Sequence, residues 1–328
     1  MALFKINPSS QTNPDTGFGA QPSQVGDRFI NKDGSFNIRK TGVSLWKRSS
    51  IYPFLLQLSW LRFLGLMLIC YIVITTFFAL LYTLIGTDQL TGVQGISNWS
   101  RLKEVFYFST QTFTTVGYGR INPVGDGADI LASLETFTGW LFFALVTGLL
   151  YGRFTRPRSF IAFSTAALIS PYKGGKALMF RMAPYKTMHY LSDAKVVVNI
   201  SLLVTEEGAG EYKFYTLDLE RAGIDIFNMN WTVVHPINER SPLLNFTEAN
   251  LNSADLELMV QVSGFDPVFS NIVMQRTSYT SKEIVWGAKF SPMYHESEDN
   301  TTTILELDKL DDYKKTGMPK QKEKGNTY

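Results

Sequence analysis

The sequence predicts a helical membrane unit, two transmembrane helices with a shorter re-entrant helix between them, joined to an all-β sandwich. Three observations carry this. Two long apolar runs lie between residues 61 and 152, and the segment between them is too short and too polar to span. Inside that segment stands Thr114-Thr115-Val116-Gly117-Tyr118-Gly119, which suits neither ordinary core nor an ordinary turn. Beyond Phe160 the hydrophobic period changes to two, with Leu256, Leu258, Val260 and Val262 alternating with Asp255, Glu257, Met259 and Gln261.

Composition agrees with this division. A chain of 328 residues has room for two domains. At 45% apolar and 18% charged it is lean in charge for a soluble protein, yet too polar for a polytopic carrier. The net charge of +2 gives no reason to expect a nucleic-acid partner. The single cysteine, Cys70, lies in an apolar run, so an intrachain disulfide is excluded. No secretory signal is expected, because the first apolar run begins only near residue 51 and is too long for an h-region.

In chain order, residues 1–37 are rich in Ser, Gln, Asn, Pro and Gly, a composition that predicts disorder. Arg39, Lys40, Lys47 and Arg48 form a basic approach to the membrane. Ser49-Ser50 and Pro53 suit the start of a short interfacial helix over 52–58, flanked by Tyr52 and Trp60. The same residues also suit the first turns of the next span. That span, 61–85, has one charge, Arg62, and is long enough to cross a hydrocarbon core of about 30 Å with tilt.

Residues 98–113 carry Arg101, Lys103 and Glu104 at one end and fit a half-helix descending into the membrane. Its C-terminal carbonyls then aim partial negative charge at a cation. Non-helical backbone at that depth is tolerated only where it lines a pore or is packed in protein. The second span, 130–151, contains one acid, Glu135, whose burial at mid-bilayer costs about 2.5–3.5 kcal/mol on an insertion scale. It is therefore expected near the outer end, facing protein or water. Gly139, Gly148 and Gly152 allow close packing or bending, with Gly139 and Gly148 as candidate hinges. Arg153, Arg156 and Arg158 follow, so both spans have basic flanks and both termini are expected in the cytoplasm. Further strands are expected at 177–182, 195–205, 211–219, 230–236, 271–279, 283–290 and 302–307.

Thr115-Val116-Gly117-Tyr118-Gly119 matches the potassium-channel filter residue for residue. The match continues in Tyr151-Gly152-Arg153-Phe154-Thr155-Arg156-Pro157, in Trp231-Thr232-Val233-Val234-His235-Pro236-Ile237 with Ser241-Pro242-Leu243, and in Glu283-Ile284-Val285-Trp286-Gly287. Together these cover about residues 45–290, and the chain resembles the prokaryotic inward-rectifier potassium channels. The resemblance implies a membrane α-helical pore followed by an immunoglobulin-like cytoplasmic sandwich, in a multi-pass protein of the cell membrane. The boundaries expected are 1–37 for the disordered N-terminus, 38–60 for the basic segment and slide helix, 61–155 for the pore domain, 156–310 for the sandwich and 311–328 for a flexible tail.

The resemblance also implies roles. One filter loop supplies a quarter of a carbonyl cage, so a homotetramer is implied. Carbonyls of Thr115, Val116, Gly117 and Tyr118 hold dehydrated potassium, and Thr114, Gln111 and Arg120 support the filter. Gln111 stands where many relatives have an acid, and Arg120 where many have Asp. Phe143 takes the position that holds blocking cations in strong rectifiers and has no charge for that task. Phe143 and Tyr151 are candidate constrictions, with helix packing the alternative. Gly264, Phe265 and Ser270 match the loop that narrows the cytoplasmic pore, although core packing also suits Phe265. Lys47, Arg48, Arg153, Arg156 and Arg158 are candidate sites for anionic phospholipid, or simply topology-setting charge. His189, His235 and His295 show no metal spacing, and no enzyme signal, cofactor motif or protein partner is found; potassium is the transported ion. Two other readings stand beside this one: a membrane-tethered, ligand-sensing β-sandwich with a degenerate pore, and a subunit of a potassium transporter.

Overall fold

A computed structural model describes residues 7–13, 28–42, 44, 50–206 and 209–318. The chain divides into two compact units, Thr41–Arg156 and the combination of Met1–Lys40 with Pro157–Tyr328.

The first unit is helical: α1 (Ile51–Gln57), α2 (Trp60–Ile85), α3 (Asn98–Phe113) and α4 (Asp126–Phe154). α1 is a helix of its own, separated from α2 by Leu58 and Ser59 in extended conformation. The 26 residues of α2 and 29 of α4 are long and apolar enough to cross a membrane. α4 starts four residues before the expected 130, because Asp126 and Asp129 favour the positive end of the helix dipole. Leu61, Leu64, Leu68, Ile72 and Leu84 of α2 are exposed on the single chain, as an apolar solvent allows. A short ribbon, β1 (Leu90–Thr91) with β2 (Asn122–Pro123), closes the loops around α3.

The second unit holds β3 (Ile161–Phe163), β4 (Ala167–Tyr172), β5 (Gly175–Pro184), β6 (Leu191–Glu206), β7 (Ala209–Thr216), β8 (Gly223–Phe227), β9 (Trp231–Ile237), α5 (Glu248–Ser253), β10 (Leu256–Asp266), β11 (Asn271–Thr280), β12 (Ile284–Trp286), β13 (Ala288–Phe290), β14 (Tyr294–Glu296), β15 (Thr303–Leu305) and β16 (Tyr313–Lys315). Among the described residues, one five-stranded sheet runs β11-β10-β6-β7 with β8 also on β6. The other runs β12-β4-β5-β3 with β9 on β5. Leu256, Leu258, Val260 and Val262 pair with Leu202, Ile200, Val198 and Val196, and all eight face the shared core. The expected strand 283–290 is instead two, broken at Gly287, whose φ of +64° suits glycine.

Two expectations of disorder fail within the described residues. Phe29 and Ile30 are buried against Tyr212, Phe214 and Met259, on the sheet face away from the main core. Their N–H groups donate to the buried Glu257 carboxyl at 2.5 and 2.9 Å. Arg28 pairs with Glu283 at 2.6 Å, and Lys32 lies 3.7 Å over the Tyr279 ring. Two apolar anchors and one acceptor hold a segment whose average composition is polar. The expected flexible tail contributes β16, paired with β13, and Thr316 N donates to Gly287 O at 2.8 Å. Residues 319–328 lie outside the described residues.

Candidate functional site

α3 is built to stop at one place. Ser97 and Ser100 form a reciprocal capping box at its start, each side chain accepting the other's N–H at 3.1 Å. At its end, Thr115 N donates to Thr112 O at 3.0 Å and Val116 N to Gln111 O at 2.9 Å. The Thr114 hydroxyl donates back to Thr110 O at 2.8 Å. The chain then leaves the helix with φ of +60° at Thr115, +55° at Gly117 and +79° at Gly119, while Val116 and Tyr118 keep negative φ. Such alternation turns successive peptide groups to a common side. Gly117 and Gly119 adopt the left-handed region at no steric cost; Thr115 does not.

Gln111 supports this segment through its main-chain carbonyl; its side chain makes no hydrogen bond among the described residues. Beyond the segment, Asn122 Nδ2 donates to Gly119 O at 2.8 Å. Arg120 reaches Glu104 of α3 at 3.5 Å, and Glu104 also accepts Gln94 N at 2.8 Å. Arg120 thus connects the end of the segment to the N-terminal half of α3.

Of the two surroundings expected for the acid in α4, protein or water, the structure shows protein. Glu135 is fully buried, accepting from Tyr82 Oη of α2 at 2.9 Å and from Ser109 Oγ of α3. One turn on, Gly139 is packed so closely that an added Cβ would stand 2.1 Å from Phe113 O. Phe143 follows at the same spacing, its ring 6.1 Å from that of Phe113. Gly148 has open space around it, and Tyr151 is 70% exposed on the single chain. Of the two candidate hinges, then, only Gly148 is sterically free.

Of the expected basic cluster, Arg153 is engaged within the helical unit. Arg153 donates to the carbonyls of Leu55 and Leu58 at 2.7 Å, beneath the Trp60 and Phe63 rings. It caps the carbonyl end of α1. Arg156 and Arg158 are exposed, and Lys47 and Arg48 lie outside the described residues.

In the β unit, residues 263–270 form the end of the β10–β11 hairpin. Gly264 sits at a register shift against β6, where a Cβ would stand 2.9 Å from Leu191 Cβ. Phe265 is 40% exposed, and Ser270 turns the chain with φ of +48°. Asp266 accepts Val268 N at 2.8 Å and holds His189 Nδ1 at 2.7 Å, with the His189 ring against those of Phe160 and Phe269. No short motif announced this pair, whose members lie 77 residues apart. His235 is buried between Asp218 O at 2.7 Å and Ser241 Oγ at 2.8 Å, so Nδ1 carries the proton and Nε2 accepts. Burial pushes its imidazole below the ordinary range.

Residues 161–326 match the family described as inward rectifier potassium channel C-terminal domain, and residues 65–156 match the family described as ion channel. The inward rectifier potassium channel Kirbac3.1 of Paramagnetospirillum magnetotacticum is 33% identical over 84% of this chain and 92% of its own length. The G protein-activated inward rectifier potassium channel 2 of Rattus norvegicus is 24% identical over 86% of this chain and 74% of its own. Its Homo sapiens counterpart is also 24% identical, over 86% of this chain and 75% of its own.

Proposed function

The chain belongs to the inward rectifier potassium channel family, and we propose that it assembles as a homotetramer that passes potassium passively through a filter of Thr115, Val116, Gly117, Tyr118 and Gly119. The observation that carries this reading is the alternating backbone of residues 115–119, suspended from the carbonyl end of α3. Four such segments around an axis present rings of carbonyl oxygens in place of the water shell of a potassium ion, with the Thr115 hydroxyl completing the innermost ring. Thr114, Gln111 and Arg120 hold the segment at its two ends.

Below the filter, Phe143 and Tyr151 constrict the pathway, Tyr151 as the main gate by excluding water. Its 70% exposure on the single chain supports this, because most of the ring is left available to an axis. Gly148, with open space around it, is the hinge. Movement of the cytoplasmic domain, with Gly264, Phe265 and Ser270 at its own constriction, drives opening. Phe143 carries no charge to hold a polyamine, so rectification of that type is weak or absent. Anionic phospholipid acts through Lys47, Arg48, Arg156 and Arg158; Arg153 serves the same region indirectly, by holding α1. Both termini are cytoplasmic, a reading the basic flanks of the spans support.

Rubidium uptake into liposomes loaded with potassium tests the reading. Uptake that potassium supports and sodium does not is expected; no uptake, or equal passage of sodium, would replace it with the tethered sensor.

A further inference from the structure

We propose that Glu135 is a positioning residue for the filter: its buried carboxyl, tied to Ser109 and Tyr82, sets where α3 stops and so where the filter begins. The inference rests on the channel reading above.

A carboxyl at membrane depth is costly unless protein satisfies it. Here both oxygens are engaged on different helices, Oε2 by Tyr82 of α2 at 2.9 Å and Oε1 by Ser109 of α3. Ser109 Oγ also lies 2.8 Å from Thr75 O of α2. Three helices therefore meet at one side chain. Tyr82 is itself fully buried, and its ring packs edge-on to Phe108 of α3 at 5.2 Å.

The contact has a second rung. Glu135 and Gly139 are four apart on one face of α4, and Ser109 and Phe113 four apart on one face of α3. Glu135 meets Ser109, and Gly139 meets the Phe113 carbonyl. Phe113 is the last helical residue before Thr114 and the filter. Between the rungs lies Gln111, whose carbonyl holds Val116 N at 2.9 Å. A displaced first rung moves the turn from which the filter hangs. Among the described residues Gln111 offers no side-chain tether, and the contacts that anchor the end of α3 come from α4.

The test compares Glu135→Ala, Ser109→Ala and Glu135→Gln in the full-length assembly. The potassium-over-sodium flux ratio in liposomes is measured at matched amounts of assembled protein, with potassium-specific protection against heating in detergent as a readout needing no open gate. Glu135→Ala and Ser109→Ala should lower the ratio about tenfold, and Glu135→Gln, which keeps a hydrogen-bonding group at each contact, should stay within about twofold of the unsubstituted chain. Ser109→Ala removes a single oxygen, so it reads the effect if Glu135→Ala fails to assemble. Preference retained in the Ala variants, or lost equally in Glu135→Gln, overturns the inference. No potassium preference in the unsubstituted chain, by flux or by protection, overturns the channel reading and takes this inference with it.

Discussion

Substituting Gly139 by Ala tests how closely α4 packs on α3. The new Cβ would stand 2.1 Å from Phe113 O and 3.0 Å from Phe113 C. A carbon and a carbonyl oxygen in ordinary contact need well over 3 Å, so α3 and α4 must separate by about 1 Å. The obstacle is main chain at the end of a helix, which cannot rotate aside. Overpacking of this kind costs about 1–3 kcal/mol, against which the better helix propensity of Ala returns about 1 kcal/mol. Gly148→Ala is the control, because nothing lies within reach of its Cβ on the single chain. The assay is the thermal midpoint of the detergent-solubilised assembly in potassium, followed by rubidium uptake. Gly139→Ala should lower the midpoint and the uptake; Gly148→Ala should leave the midpoint unchanged or raised. A midpoint for Gly139→Ala equal to that of Gly148→Ala would refute the packing argument.

Four further outcomes are expected. Arg153→Ala leaves the carbonyls of Leu55 and Leu58 without their donor and should destabilise the assembly by about 1–3 kcal/mol in neutral and anionic lipid alike. Arg156→Ala and Arg158→Ala should instead weaken binding to anionic vesicles by about 1 kcal/mol each, read by flotation; a lipid-dependent effect for Arg153 would reverse the assignment. Since burial holds His235 below 6.5, the unfolded chain takes up this proton first as pH falls below 6.5. Stability should therefore be flat in this term above 6.5 and decline below it, and His235→Gln should reduce the decline in unfolding midpoint against pH. Tyr151→Ala should raise rubidium uptake; unchanged uptake would remove Tyr151 from the gate.

Much of the architecture was legible because its signals are local. Apolar runs longer than a bilayer mark α2 and α4, and period-two alternation marks the core face of β10. What was missed depends on partners far away in sequence. Phe29 and Ile30 read as part of a polar tail, but they close over Glu257, whose carboxyl lies 228 and 227 residues on. That cover explains why Glu257 and Met259, polar-face positions by alternation, are both buried. β16 is three residues of Tyr and Lys with no strand pattern, made a strand by the free edge of β13. At the site, residues 115–119 were legible as a motif. Glu135 was legible as a costly acid expected to face protein or water, but its partners Tyr82 and Ser109 were not, because they lie 53 and 26 residues away on other helices. Arg153 looked like one cation among five until α1 placed three carbonyls around it.

The central claim is that residues 115–119 select potassium. Purified protein in liposomes, with rubidium uptake driven in turn by trapped potassium and trapped sodium, measures this directly. Uptake with potassium and little with sodium is expected, reduced to background when Gly117 is replaced by Ala, whose β-carbon its φ of +55° disfavours. Equal uptake with either ion, or full uptake after Gly117→Ala, would contradict it.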